Sequence, residues 1–294
     1  MTCSRCRAAA CWSIGLLAFT CAALASGTAR AAEPGSAGEF RVCADPNNLP
    51  FSNDHKAGFE NAIADLFAGQ LGQSVSYTWW AQRRGFIRNT LKAGDCDVVM
   101  GVPTRLETVE TTRPYYRSSY VFVSRSDRHL DIASMTDPRL RSLKIGVQLI
   151  GDDGFNTPPG HALADQGVID NVKGYTIYGD YRQPNPPARI LEAVASGEID
   201  IAAAWGPLAG YFARRSPIAL TVVPITGTEQ FAPLLFQFDI AIGVRKGDGE
   251  RRETMDRLVA RNQQQIARIL DEYGVPVLAV DQQNDRADRP EPAQ

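Results

Sequence analysis

The chain has 294 residues, with 31 lysines and arginines against 33 aspartates and glutamates and a formal net charge of -2. Its basic residues are dispersed, which leaves no footprint for a nucleic-acid backbone and argues against a nucleic-acid partner. The long apolar run lies at the amino terminus, and past it nothing in the sequence is long and apolar enough to span a bilayer.

That first run has the order of an export signal. Arg5 and Arg7 form a short positive region, Ala8 to Leu24 is mostly apolar, and Ala29-Arg30-Ala31 sets small residues where a signal peptidase reads. Cleavage between Ala31 and Ala32 would remove residues 1–31 and leave the rest in the periplasm. A retained anchor is the competing reading, but Thr20, Ser26 and Gly27 interrupt the stretch. Lipid attachment at Cys21 is disfavoured by the Phe19-Thr20 approach to it. Loss of the signal leaves two of the six cysteines, Cys43 and Cys96. An oxidising compartment makes a disulfide between them the expectation. Two separately buried thiols are the alternative, because both flank neighbouring parallel strands whose register sets their separation. With His55, His129 and His161 they have no spacing of the CxxC or HxxxH kind, so neither a metal nor any other cofactor is expected.

The remaining residues, about 260, suffice for one large domain or two lobes of ordinary size. Phe40 to Ala44 is a predicted strand ending in the turn-rich Asp45-Pro46-Asn47-Asn48-Leu49-Pro50-Phe51. A helix follows with Phe59, Ile63, Leu66, Phe67 and Leu71 on one face and Gly72 past its end. Ser74 to Trp79 alternates as a strand, Phe86 to Lys92 is a short helix closed by Gly94, and Asp97 to Met100 is an apolar strand. This β-α-β-α-β order makes a parallel sheet covered by helices. Tyr115 to Ser124 is a long strand, after which the pattern starts again. Leu143 to Val147 and Tyr175 to Tyr178 are strands, with Ala162 to Gln166 on a helix between them. Ala188 to Ser196 is a helix stopped by Gly197, and Ile199 to Ala204 is a strand. Phe238 to Val244 is a further strand. One last helix starts near Gly249, carries Met255, Leu258, Val259, Ile266, Ile269 and Leu270, and ends at Tyr273-Gly274-Val275-Pro276. The polar, proline-containing segment from Asp281 is expected to be a disordered tail.

A local repeat relates the two halves. Leu91-Lys-Ala-Gly94-Asp-Cys-Asp97-Val-Val-Met-Gly101 and Val194-Ala-Ser-Gly197-Glu-Ile-Asp200-Ile-Ala-Ala share the order helix, Gly, x, x, Asp, strand. With Arg113-Pro114-Tyr115-Tyr116 between them, the pattern resembles the periplasmic amino-acid-type (family 3) solute-binding proteins. The resemblance runs from Phe40 to about Pro276. Longer blocks narrow it: Arg41 to Asn53, Cys96 to Pro103 and Arg113 to Val123, then Ile145 to Gly154, Tyr178 to Arg189 and Ala204 to Tyr211. Together they are similar to the branch found with methanol and related alcohol dehydrogenases that use pyrroloquinoline quinone (PQQ).

The resemblance implies a type II-like, two-lobed α/β periplasmic binding protein with a parallel-rich sheet in each lobe and two crossing strands as a hinge. The first lobe would hold residues 39–124 and, through a returning strand and helix, 229–280; the second would hold 125–228; residues 281–294 would be the tail. In amino-acid binders of this kind an Asp five residues beyond the Gly-x-x-Asp element holds the ligand's ammonium; that position here is Trp205. The turn that greets the carboxylate is here Ile150-Gly151-Asp152-Asp153, where two carboxylates repel an anion. Arg105 falls near the carboxylate-binding arginine, with an exposed turn arginine as the alternative. An α-amino acid is therefore a poor ligand for this chain.

Ligands of open α/β sheets meet the loops at the carboxyl ends of the strands. Those loops offer Asp45, Asn47, Asn48, Phe51, Trp80, Arg105, Gln148, Asp152, Asp153, Asp180 and Trp205 as the cleft. Aromatic walls with acidic and amide groups suit a cation, a polyol or a polar side chain of another protein. Asp152 and Asp153 have helix capping as an alternative role, Trp205 a place in the core, and Tyr115 and Tyr116 either strand packing or the hinge side of the cleft. The rigid run Tyr181 to Pro187 could be a docking surface. No nucleophile–base pair is apparent, so catalysis is not expected, and the resemblance implies a non-catalytic accessory partner of a PQQ-dependent alcohol dehydrogenase. The alternative is an ABC-transporter binding protein that delivers a small polar solute other than an amino acid to its permease.

Overall fold

The computed structural model describes residues 38–279 apart from 151–154, 178–180 and 182. The expected signal peptide and its cleavage site, the carboxy-terminal tail, and Asp152, Asp153 and Asp180 lie outside the described residues.

The first strand, β1 (Glu39–Ala44), turns Phe40, Val42 and Ala44 into one core and Cys43 into another, the period-two pattern of a strand buried on both faces. A tight hairpin of β2 (Asn47–Asn48) and β3 (Ser52–Asn53) leads into α1 (Phe59–Leu71). The helix starts at Gly58, where a side chain has no room: an ideal Cβ would lie 2.0 Å from the Phe51 carbonyl oxygen. It stops at Gly72, whose φ of 64° is the left-handed cap glycine adopts without penalty. Phe59, Ile63 and Phe67 are wholly buried against β1, each contributing about 2 kcal/mol of transfer free energy. β4 (Ser74–Trp79), α2 (Phe86–Asn89), β5 (Val98–Pro103) and β6 (Glu110–Thr111) complete this part and lead into β7 (Tyr116–Arg125).

The second series is β8 (Ile145–Ile150), β9 (Phe155–Asn156), α3 (Pro158–Asp165), β10 (Val172–Thr176), α4 (Arg189–Ser196), β11 (Ile201–Trp205), α5 (Gly206–Arg215) and β12 (Leu220–Pro224). β13 (Gln237–Val244), α6 (Gly249–Arg261) and α7 (Gln263–Glu272) follow. The sheet runs β10-β8-β11-β7-β13-β5-β1-β4. Its two ends are parallel triplets, and β7 and β13 join them as an antiparallel pair with Tyr116 opposite Ile240 and Ser119 opposite Gln237. From Tyr120 onward β7 pairs instead with β11 and β12. This is the α/β class expected, with a largely parallel sheet.

Several elements depart from the sequence reading, among them the short β6 and β9, which were not expected, and β10, which starts three residues before the expected Tyr175. α5 and β12 were not anticipated, because Gly206, Pro207 and Gly210 argue locally against a helix. Pro207 sits in the first turn, where its missing N–H costs nothing. Gly210 is required by packing, since its ideal Cβ would lie 1.9 Å from the Gly274 carbonyl oxygen. The last helix is two helices, broken at Asn262, whose buried side chain donates to the Leu258 carbonyl and to Gln70 Oε1.

The two cysteines meet across β1 and β5. The register sets Cys43 beside Val99, Cys96 lies just before β5, and the Cα atoms are 5.5 Å apart, within the usual range for the disulfide they form.

Candidate ligand-binding cleft

A cavity of about 300 Å³ opens where the β7–β13 pair meets the carboxyl ends of β5, β8 and β11. Tyr116, Tyr120 and Phe238 come from the crossing strands, Phe51 and Asn48 from the β2–β3 hairpin, and Trp205 from the end of β11. Gln82, Gln148 and Glu60 supply its polar surface, and Ile150, Ile177, Leu208 and Ile240 much of the rest.

Four of the residues singled out from sequence line this space: Asn48, Phe51, Gln148 and Trp205. Gln148 is buried and its Oε1 accepts the Trp205 N–H at 2.7 Å, which ties β8 to the start of α5. Trp205 meets Tyr120 and Phe238 edge-on, with ring centroids 5.3 and 5.7 Å away, and packs against the cores on both sides of the cleft. Of its two anticipated roles, wall and core, it fills both.

Asp45 and Asn47 stand beside the cavity and connect its two sides. Asp45 is buried and accepts hydrogen bonds from the Asn47 N–H at 2.8 Å, the Gln82 N–H at 2.7 Å and the Tyr181 hydroxyl at 2.9 Å. Burial raises its pKa against the lowering pull of these donors. Asn47 donates through Nδ2 to the Gln183 carbonyl at 2.8 Å and accepts the Asn185 N–H at 3.1 Å. Tyr181, Gln183 and Asn185 are thus held against Asp45 and the β2–β3 hairpin by three hydrogen bonds.

Trp80 and Arg105 lie elsewhere. Trp80 is exposed at the end of β4, its N–H bonded to the Ala44 carbonyl. Arg105 is exposed in a neighbouring depression with Arg117, Leu235 and Asp239, which shares Pro103 and Phe238 with the cleft. Tyr115 turns its hydroxyl to the Met100 carbonyl at 2.8 Å, whereas Tyr116 lines the cavity.

Sequence reasoning missed Gln82, Tyr120, Phe238 and, bearing the carboxyl group, Glu60. Glu60 is 8% exposed, lines the cavity, and has no hydrogen-bond partner among the described residues. Its carboxyl rests on Gly101, where an ideal Cβ would lie 2.0 Å from Oε1. Burial, and then the nearby Asp45 carboxylate, push its pKa up to about 8. The signal was available: Glu60, Ile63, Ala64 and Phe67 recur at i, i+3, i+4 and i+7, so an acid sits on the buried stripe of α1. Asn48 adds a second unmet acceptor. Its Nδ2 donates to Gln82 Oε1 at 3.2 Å, while its buried Oδ1 has no partner among the described residues.

A two-part sheet with a cavity at its crossing strands, walled by side chains from both parts, defines a binding protein of the periplasmic type. Residues 40–276 match the bacterial extracellular solute-binding proteins, family 3, and the chain belongs to that family. It is 35% identical over 267 residues to the protein MoxJ of Methylorubrum extorquens, covering 87% of this chain and 86% of the relative. Among solved structures it is similar to the periplasmic binding protein XoxJ of Methylobacterium extorquens, with TM-score 0.67 and 32% identity over 82% of this chain and 100% of that one. It is also similar to MxaJ of Methylophaga aminisulfidivorans, with TM-score 0.71 and 26% identity over 81% of this chain and 100% of that one. The family is one of binding proteins, and its members act outside the cytoplasm.

Proposed function

We propose that this protein is a periplasmic accessory partner of a PQQ-dependent alcohol dehydrogenase of the methanol-oxidising kind, exported by residues 1–31. The observation that carries this reading is the similarity to MoxJ over nearly the whole of both chains, which agrees with the branch the sequence blocks resemble. The cleft supports it by what it lacks for an amino acid. Trp205 stands where an ammonium-binding aspartate would, and among the described residues no lysine or arginine lines the cleft to meet a carboxylate. Residues 39–124 with 229–280, and 125–228, would be the two lobes, closing about β7 and β13. Asn47 and Asp45 would hold the closed arrangement through Gln183, Asn185 and Tyr181.

The test is a native pull-down of the tagged protein from the periplasm of cells growing on an alcohol. A stoichiometric quinoprotein dehydrogenase in the eluate is the expected result. Recovery of the bait alone, or with a permease component, would overturn the reading. It would favour delivery of a small polar solute, an alternative supported by a cavity of ligand size.

A further inference from the structure

We propose that the cleft binds a small primary amine in its protonated form, with Glu60 as counter-charge and hydrogen-bond acceptor and the aromatic wall around its carbon body. The inference rests on the cavity being a ligand site, and is independent of the partnership with a dehydrogenase.

Glu60 lines this space, is more than nine-tenths buried as a residue, and has no hydrogen-bond partner among the described residues. A buried acid that lacks a protein partner and borders a cavity is complemented by a ligand that brings both a donor and a positive charge. The lining offers a carboxylate or phosphate ligand the acid Glu60 and, among the described residues, no lysine or arginine, which disfavours an anion by charge. A quaternary ammonium would answer the charge but has no N–H for the Glu60 carboxylate. A primary ammonium has three N–H donors and one positive charge. Phe51, Tyr116 and Trp205 offer ring faces and edges to its hydrocarbon part and to the cation itself.

Protonation couples to this binding. Glu60 faces Asp45, Tyr77, Tyr115 and Tyr116. The tyrosines stay neutral near neutral pH, burial pushing Tyr77 up to about 12 and the other two well above the ordinary range. Asp45 already accepts three hydrogen bonds. Below about pH 8 Glu60 therefore carries the proton, and an arriving ammonium drives it off to solvent. An amine stays protonated throughout this range, so one proton leaves per amine bound.

Isothermal titration calorimetry with phenethylamine, 2-phenylethanol and tetramethylammonium tests this on the purified protein. Phenethylamine should bind at least about ten-fold tighter than its neutral isostere, and its affinity should rise about ten-fold per pH unit before levelling near pH 8. Glu60→Gln should weaken phenethylamine at least about ten-fold and flatten the pH profile. No saturable heat with phenethylamine at millimolar concentration, or equal binding of the alcohol, would overturn the proposal. So would equal binding of tetramethylammonium, or a pH dependence that survives in Glu60→Gln and so belongs to Asp45. Should the variant fail to fold, the wild-type pH profile decides alone. Failure here leaves the pull-down result untouched, and the reverse holds as well.

Discussion

Glu60→Gln should stabilise the ligand-free protein, by an amount that grows with pH. In the unfolded chain this carboxyl ionises near 4.5, whereas in the folded protein it keeps its proton to about 8. Between those values the folded state binds one proton more than the unfolded state, so its stability falls as pH rises, by about 1.4 kcal/mol per pH unit. Wild-type protein therefore loses about 3 kcal/mol to this one group by neutral pH. The loss saturates near 5 kcal/mol once the folded carboxyl also ionises, at and above about pH 8. Glutamine removes the ionisation but keeps a buried polar group, which adds an offset independent of pH. Urea unfolding of both proteins across about pH 5 to about pH 9 isolates the effect, because the difference between the curves cancels every other titration. That difference should climb with pH and then flatten. Parallel curves would show that Glu60 is charged and solvated at neutral pH, and would refute the reasoning about its burial.

Three further perturbations have defined outcomes. The Cys43–Cys96 bond closes a loop of 53 residues in sequence separation, so its reduction should cost about 4 kcal/mol; denaturing, non-reducing thiol titration should find no free thiol. Asp97 is held below the ordinary carboxylate range: burial pushes it up, but Arg41 at 2.8 Å and Arg245 at 2.9 Å, with Arg251 nearby, outweigh burial. Its contribution is present above the usual carboxylate pKa and is lost as pH falls through its lowered value, so acid unfolding should be shallower in Asp97→Asn, whose stability at neutral pH should be lower by about 1–3 kcal/mol. Gly210→Ala drives a methyl against the Gly274 carbonyl oxygen and should lower the melting temperature through a loss of about 1–3 kcal/mol; an unchanged melting temperature would mean that α5 shifts freely over the 274 turn.

The elements legible in the sequence were those whose cause is local. α1 ends at the glycine its pattern required, and β4 spans the alternating residues that announced it. α5 was illegible because its glycines are explained only by what they touch, Gly206 by the Ser119 carbonyl and Gly210 by the Gly274 carbonyl. The cleft divided the same way. Reading strand ends supplies loop residues such as Asn48, Gln148 and Trp205, but it selects Trp80 with equal force. Tyr120 and Phe238 reach the cavity from strand interiors, because β7 and β13 cross there. That is a fact of sheet order, which no single segment encodes.

The internal repeat shows why a motif can be plain in sequence and yet say little about ligand. In both copies the glycine takes the left-handed conformation, with φ of 86° at Gly94 and 78° at Gly197. In both, the aspartate N–H is bonded 2.8 Å from a carbonyl of the neighbouring strand or its entry, Arg41 for Asp97 and Lys144 for Asp200. Both side chains then fasten the same neighbour: Asp97 takes the Arg41 guanidinium, and Asp200 takes the Lys144 N–H together with Arg128. The repeated aspartates therefore anchor the start of a strand, at the end of the sheet away from the cleft. What distinguishes the cleft is not repeated. Glu60, Asn48 and Trp205 have no counterparts in the paired copies, since each lies outside the shared segment. On the proposed reading, ligand chemistry is carried by positions where the two halves differ, and an acid on the buried stripe of α1, with no hydrogen-bond partner among the described residues, is where that difference is chemically sharpest.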